Sequence, residues 1–258
     1  MIMKQMKSKL FSITLALAIG LVCMAFATSA SANAMYQASS FLSLELNGVT
    51  DQYGNFVDSC YGQTWSIYYE NYLIDADSFI DGDGDASYTY TPDGNGEMSI
   101  GDTVALSTSV VGKTGVGIAE SYAVAGLDIF VDNYFDYELF FSFDYKYDIF
   151  ASVGSSTFVE GDEAIAAADV DILDDFSVDL LDSVSADLFG PSHDQWAESG
   201  SFSFTLSPDC SNWISAISSV DGKSVGDAAP VPEPATFVLL GAGLTGLVTI
   251  RLRTKSKS

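Results

Sequence analysis

An all-β fold, an antiparallel β-sandwich of jelly-roll type, follows from three features of the sequence. Apolar and polar residues alternate with period two over long stretches. Gly, Asp, Asn and Pro punctuate those stretches at strand-like intervals. No segment between residues 35 and 218 repeats its apolar residues at the 3.6-residue period of a helix. Antiparallel strands with one wet face account for such a pattern. A β-solenoid is the alternative, but no repeat of fixed length supports it.

In chain order, strands are expected at 41–46, 63–70, 86–91, 104–111 and 118–131. In 137–149 every odd position is apolar or aromatic, from Tyr137 through Phe141, Phe143 and Tyr147 to Ile149. Such a strand buries one face and wets the other. The stretch 164–188 does this twice. Ala166, Ala168, Val170 and Ile172 lie opposite Asp169 and Asp171, and Asp174-Asp175 breaks it into two strands or forms a bulge. A last strand falls at 201–206. Pro92-Asp93-Gly94-Asn95-Gly96 and Gly222 read as turns. Residues 219–230, poor in large apolar side chains, read as a linker, so the domain is expected to span 35–218.

Both ends read as addresses. Lys4, Lys7 and Lys9 precede the apolar stretch from Leu10 to Phe26, and Ala30-Ser31-Ala32 and Ala32-Asn33-Ala34 each offer small-x-small. That is the pattern of a secretory signal peptide over 1–34, cleaved by signal peptidase after Ala32 or Ala34. Cys23 leaves with it; Leu21-Val22 put bulk where a lipoprotein signal needs small residues. At the other end, 235–250 carries no charge and as a helix spans about 24 Å. That is a little short of the roughly 30 Å hydrocarbon core, and flanking Arg251 and Arg253 extend its reach by snorkelling. With Lys255 and Lys257 they form the basic stop-transfer tail of a transmembrane helix whose end is cytoplasmic.

Val231-Pro232-Glu233-Pro234, an apolar run and then a basic stub resemble the PEP-CTERM sorting signal, here covering 231–258. The resemblance implies a Gram-negative bacterium, passage through the inner membrane, and processing at Pro232-Glu233-Pro234 by exosortase, a membrane-embedded transpeptidase-like enzyme. It also implies an exopolysaccharide setting, and an end state at the cell surface or in the extracellular matrix. The two prolines keep the segment out of helix and sheet hydrogen bonding, leaving an extended peptide to grip.

The chain is acidic, with a net charge of −25. Only Lys113, Lys146 and Lys223 lie between the two addresses, together with all 35 acidic residues except Glu233. Nucleic acid is excluded as a partner, since phosphate binding needs Lys and Arg. Cys60 and Cys210 remain after signal removal, an even pair in an oxidising compartment. Their disulfide would close a loop of about 150 residues and contribute roughly 3–5 kcal/mol.

Chemistry-bearing motifs are few. Asp81, Asp83 and Asp85 have the 1, 3, 5 spacing of a calcium loop, but Ala86 and Pro92 stand where Gly and Glu are required. The segment reads as a solvated Asp/Gly turn, with Ca²⁺ as the alternative and no other cofactor expected. The single histidine, His193, rules against a zinc site of ordinary type, and no catalytic serine motif occurs in the body. Trp65, Ile67 and Tyr69 share one strand face expected to point inward. This leaves Tyr68 and Tyr72 outward, where they can stack on sugar rings. The expected function is a non-enzymatic structural or adhesive surface protein. A carbohydrate- or calcium-dependent binding module is one alternative, and a secreted carboxylate-dependent glycoside hydrolase is another.

Overall fold

The computed structural model describes residues 34–58, 64–92, 94–155, 161–174 and 179–227. Their regular elements are nine strands: β1 Ala34–Asp51, β2 Trp65–Pro92, β3 Asn95–Glu97, β4 Thr103–Asn133, β5 Leu139–Ser155, β6 Glu163–Asp174, β7 Asp179–Asp187, β8 His193–Leu206 and β9 Ser211–Gly226. Every pairing is antiparallel, and the strands belong to one nine-stranded sheet in the order β7-β6-β9-β4-β1-β5-β8, with β2 on the far edge of β4 and β3 beside β2. The expected all-β antiparallel class is therefore present.

The spine is β4. One of its edges pairs with β2 from Leu106 to Asn133. The other is shared: β1 occupies Thr103–Thr114 and β9 occupies Gly117–Asp132. Two wings grow from these halves, β1-β5-β8 and β9-β6-β7. They fold over one another, so that β1 lies against β9 and β6, and β5 against β6 and β7. Polar contacts between buried side chains tie the wings together, including the Tyr36 and Ser121 hydroxyls at 2.7 Å and those of Thr108 and Ser218 at 2.6 Å. The wing edges β7 and β8 approach each other, which nearly closes the sheet.

Alternation sets what lies between the wings. Leu42, Leu44, Leu46, Phe141 and Phe143 are fully buried from one side. They face a second side rich in small residues, including Ala125, Ala166, Ala168 and Ala216, also buried. Each large side chain contributes about 1.5–3 kcal/mol of transfer energy. Trp65 meets Phe141 edge-on at 6.1 Å, and Phe141 and Phe143 stack on Phe204 and Phe202 at 5.6 and 5.5 Å.

Four expectations need correction. The Asp-Gly run around Asp81–Asp85, read as a turn between two strands, is itself strand: β2 continues through it from Trp65 to Pro92. Asp81-Gly82-Asp83-Gly84-Asp85 is a corner, not a turn. Gly82 pairs with Gly117, both have positive φ (102° and 107°), and the register slips between Asp83 and Gly84. A Cβ on Gly82 would lie 2.1 Å from the Val116 carbonyl oxygen, and one on Gly117 1.9 Å from that of Asp81. Glycine alone allows this approach. Next, 219–226 is not linker but the second half of β9, paired with both β4 and β6. Its small residues reflect close packing: the Tyr36 ring lies on Gly222, where a Cβ would stand 2.0 Å from the ring. Gly222 is thus a strand residue rather than a turn. The domain accordingly extends to the end of β9 and not to 218.

These geometries separate two kinds of glycine. Gly117→Ala should lose about 3 kcal/mol or more, or fail to fold, because the new methyl meets backbone. Gly94 also has positive φ (95°) but nothing within 4 Å of a Cβ, so Gly94→Ala should lose only about 1 kcal/mol. Urea unfolding of the two variants measures the difference, and equal losses would show that the corner imposes no special constraint.

Candidate functional site

Outward-facing side chains of β2, β4 and β9 form rows across the sheet, because antiparallel register places partners side by side about 4.8 Å apart. One row is aromatic throughout. Tyr68 pairs with Phe130, and Phe130 pairs with Trp213. All three stand exposed, at 44%, 40% and 42%. Their sequence neighbours point the other way: Ile67, Ile129, Val131 and Ile214 are buried. Glu97 of β3 continues the row beyond Tyr68.

Polar rows border it. On one side Asp132 lies between Ser66 and Ser211. Its carboxylate accepts hydrogen bonds from the Ser66 hydroxyl at 3.2 Å, the Tyr134 hydroxyl at 3.2 Å and the Ser211 hydroxyl. On the other side lie Glu70, Asp128 and Ser215. Beyond them the Tyr72 ring covers Gly126, where a Cβ would stand 2.6 Å from it, and the Tyr72 hydroxyl donates to Asp128 at 3.1 Å. Burial, and then Asp128 as acceptor, push the Tyr72 phenol above its usual range. Tyr68 is thus a free ring, whereas Tyr72 is a half-buried wall. The sequence reading named these two but missed Phe130 and Trp213. The signal for Phe130 was an aromatic residue on the polar face of its strand, between Asp128 and Asp132.

The other expected sites are differently placed. At the corner, the Asp83 carboxylate accepts from the Val116 amide, and the Thr114 hydroxyl donates to the Asp83 carbonyl at 3.3 Å. Asp83 thus binds the backbone of β4. Among the described residues no group of three His, Cys, Asp or Glu side chains is placed to hold a metal ion. Cys210 is exposed and its sulfur forms no disulfide with a described residue, and Cys60 lies outside the described residues. So do Val231, Pro232, Glu233, Pro234 and the basic tail from Arg251 to Lys257. No helix among the described residues is long and apolar enough to cross a membrane.

A second cluster lies where β7 and β8 approach. The buried Tyr147 of β5 donates to Asp182 of β7, lies 3.2 Å from Glu198 of β8 and accepts from the Trp196 indole at 3.1 Å. Burial, then the Asp182 acceptor, raise this phenol far above its normal range. The phenol joins β5, β7 and β8. A shallow depression of about 450 Å³ on the outer face of β1, β5 and β8 is lined by polar residues, among them Ser43, Glu45, Asp144 and Lys146.

Residues 230–253 match the PEP-CTERM protein-sorting motif. The chain carries a PEP-CTERM sorting signal. That signal marks a protein processed by exosortase and exported to the envelope or surface of a Gram-negative bacterium. No curated protein matches the chain. Among solved structures, the secreted serine protease VesC from Vibrio cholerae is 7% identical over 61% of this chain and 46% of that one, with a TM-score of 0.10. A putative beta-galactosidase from Bacteroides fragilis is 10% identical over 66% of this chain and 25% of that one, with a TM-score of 0.12. The PEP-CTERM chain spans less than half the length of either, and likenesses this slight carry no argument.

The outer face also holds an ill-solvated acid. Asp171 of β6 has a buried carboxylate oxygen without a hydrogen-bond partner. Burial, and then the nearby Asp179, raise its carboxyl above the usual range. For an acid raised in the folded state, the penalty is full above the folded pKa and disappears as acid protonates the group. Asp171→Asn should therefore raise Tm by about 2 °C at pH 7. The gain should vanish as pH falls towards the ordinary carboxylate value of about 3.9. Thermal melts across pH test this, and a gain independent of pH would assign it to something other than charge.

Proposed function

We propose that this is a non-enzymatic structural or adhesive protein of the cell surface or extracellular polysaccharide matrix, delivered there by exosortase. The observation that carries the proposal is the sorting motif at 230–253, which follows almost directly on the last strand, ending at Gly226. In this reading 235–250 is the membrane helix, and the folded-over sheet is a jelly-roll-like β-sandwich. Support for a role other than catalysis comes from the carboxylates. Several of them hold the fold, binding backbone at the corner, serine hydroxyls on the outer face, and Tyr147 at the seam. A binding role is the second reading, favoured by the exposed row containing Tyr68. Calcium dependence of that binding belongs to the same second reading, with Asp81, Asp83 and Asp85 at the corner as the ligands to test.

Export places constraints on the ends. Ala34 is fully buried and pairs with both Thr114 and Ser155. Of the two cleavage positions, the one after Ala32 leaves β1 whole, so the signal peptide is taken to end there rather than at 34. The Tyr134 amide donates to the Thr64 carbonyl, and the preceding Asn133 amide donates to Cys210, both at 3.0 Å. These adjacent amides point to opposite edges of β4, so Thr64 and Cys210 flank its end about 10 Å apart, a gap that the four residues from Cys60 to Thr64 can span, and in an oxidising compartment we take Cys60 and Cys210 to be bridged. Mass analysis of the exported protein without reductant should find no free thiol. Alkylation of both cysteines under those conditions would exclude the bridge.

Replacing Pro232-Glu233-Pro234 by three alanines tests the sorting reading, since it leaves the apolar run and basic tail intact. In an exosortase-bearing host the variant should persist as a longer, membrane-held species, while the parent is shortened and reaches the surface. Intact mass and cell fractionation distinguish the two. Identical processing and location would reduce the tail to a plain membrane anchor.

A further inference from the structure

We propose that Tyr68, Phe130 and Trp213 form a binding platform for an extended, uncharged polysaccharide, one whose pyranose units present flat C–H faces. The inference rests on the reading of an exported surface protein and names the ligand class of its outer face. The three rings come from three adjacent strands in register, so they form a line perpendicular to the strands. The outer two are separated by two strand spacings, about 10 Å. This suits sugar units that alternate in contact along an extended chain. Aromatic faces attract the axial C–H groups of equatorially substituted pyranoses, and each ring is partly exposed for that contact.

What borders the rings decides the occupant. Glu97 lies at one end of the line, Glu70 and Asp128 on one side and Asp132 on the other. Carboxylates accept hydrogen bonds from sugar hydroxyls. They repel uronate, sulfate and phosphate, so an acidic polymer is disfavoured. A second copy of this chain is disfavoured too: like-charged borders would meet, and three partly exposed rings fall short of the about 800 Å² per partner that a stable interface needs. Tyr72 and Gly126 close the next row and keep the platform flat on that side.

The test uses the full-length protein and a panel of cellohexaose, xylohexaose and mannohexaose, with polygalacturonate as the acidic comparison. Calorimetry or affinity electrophoresis should show binding to at least one neutral oligosaccharide, with little dependence on salt. Phe130→Ala and Trp213→Ala should each weaken it about tenfold, as expected for removal of an aromatic anchor. Trp213→Phe should restore most of the affinity. Unchanged melting temperatures of the alanine variants would confirm that the loss is local. The proposal falls if no neutral glycan binds, if binding survives both alanine changes, or if polygalacturonate is preferred. It also falls if light scattering finds a dimer that Trp213→Ala dissociates. Because binding is measured on isolated protein, failure here is separate from failure of the sorting test, which is read in cells.

Discussion

The architecture depends on one backbone contact, the crossing of Gly82 and Gly117. Two strands as long as β2 and β4 cannot both remain in one flat layer and enclose a core. Twist accommodates part of the curvature, but a fold-over needs a sharp change of direction at matched positions on both strands. Paired glycines at positive φ supply it, and Asp83 anchors the bend by accepting the Val116 amide. At this point β1 gives way to β9 along β4. Every later feature depends on that handover, including the facing wings, the ring of Tyr36 between Gly112 and Gly222, and the alignment of β9 beside β4.

Electrostatics act on this frame mostly as a limit. Lys223 and Glu120 form an ion pair at 2.8 Å on partly exposed side chains, where such pairs contribute little. The acidic majority has no cationic counterpart, so the carboxylates hydrogen-bond to hydroxyls and amides instead. Their placement also protects an edge. From Leu73 onward β2 exposes Leu73, Ile74, Phe79, Ile80 and Tyr88 along an edge that, among the described residues, pairs with nothing beyond β3. Asp75, Asp77, Asp81, Asp83 and Asp85 are interspersed there. Charges on a free edge discourage strand addition by another chain.

Much of this was legible in the sequence, for a definite reason. Period-two patterning responds to burial on one face, so 137–149 and the two strands within 164–188 declared themselves. The tail declared itself because its three parts occur in fixed order. The corner did not, since Asp-Gly repeats have the composition of a solvated loop and only long-range pairing makes them strand. The end of β9 was missed for the same reason: Ser218, Ser224 and Gly222 are buried by neighbours distant in sequence. The facing of Tyr68 could be read from Trp65 and Ile67. Its alignment with Phe130 and Trp213 could not, because register across three strands is not written in any one of them.

The path of the chain through β9 has a mechanical meaning. The sorting signal follows the C-terminal end of this strand, while Trp213 stands near its beginning. Tension between a tether at the tail and anything grasped at the outer face would therefore run lengthwise through β9. This strand is zipped along both sides, to β4 from Gly117 to Asp132 and to β6 from Glu163 to Asp174. Pulling along its axis would shear two ladders of hydrogen bonds together instead of peeling one bond at a time. If the proposed platform at Trp213 takes a load while the tail is held, both ends of that load fall on this one strand.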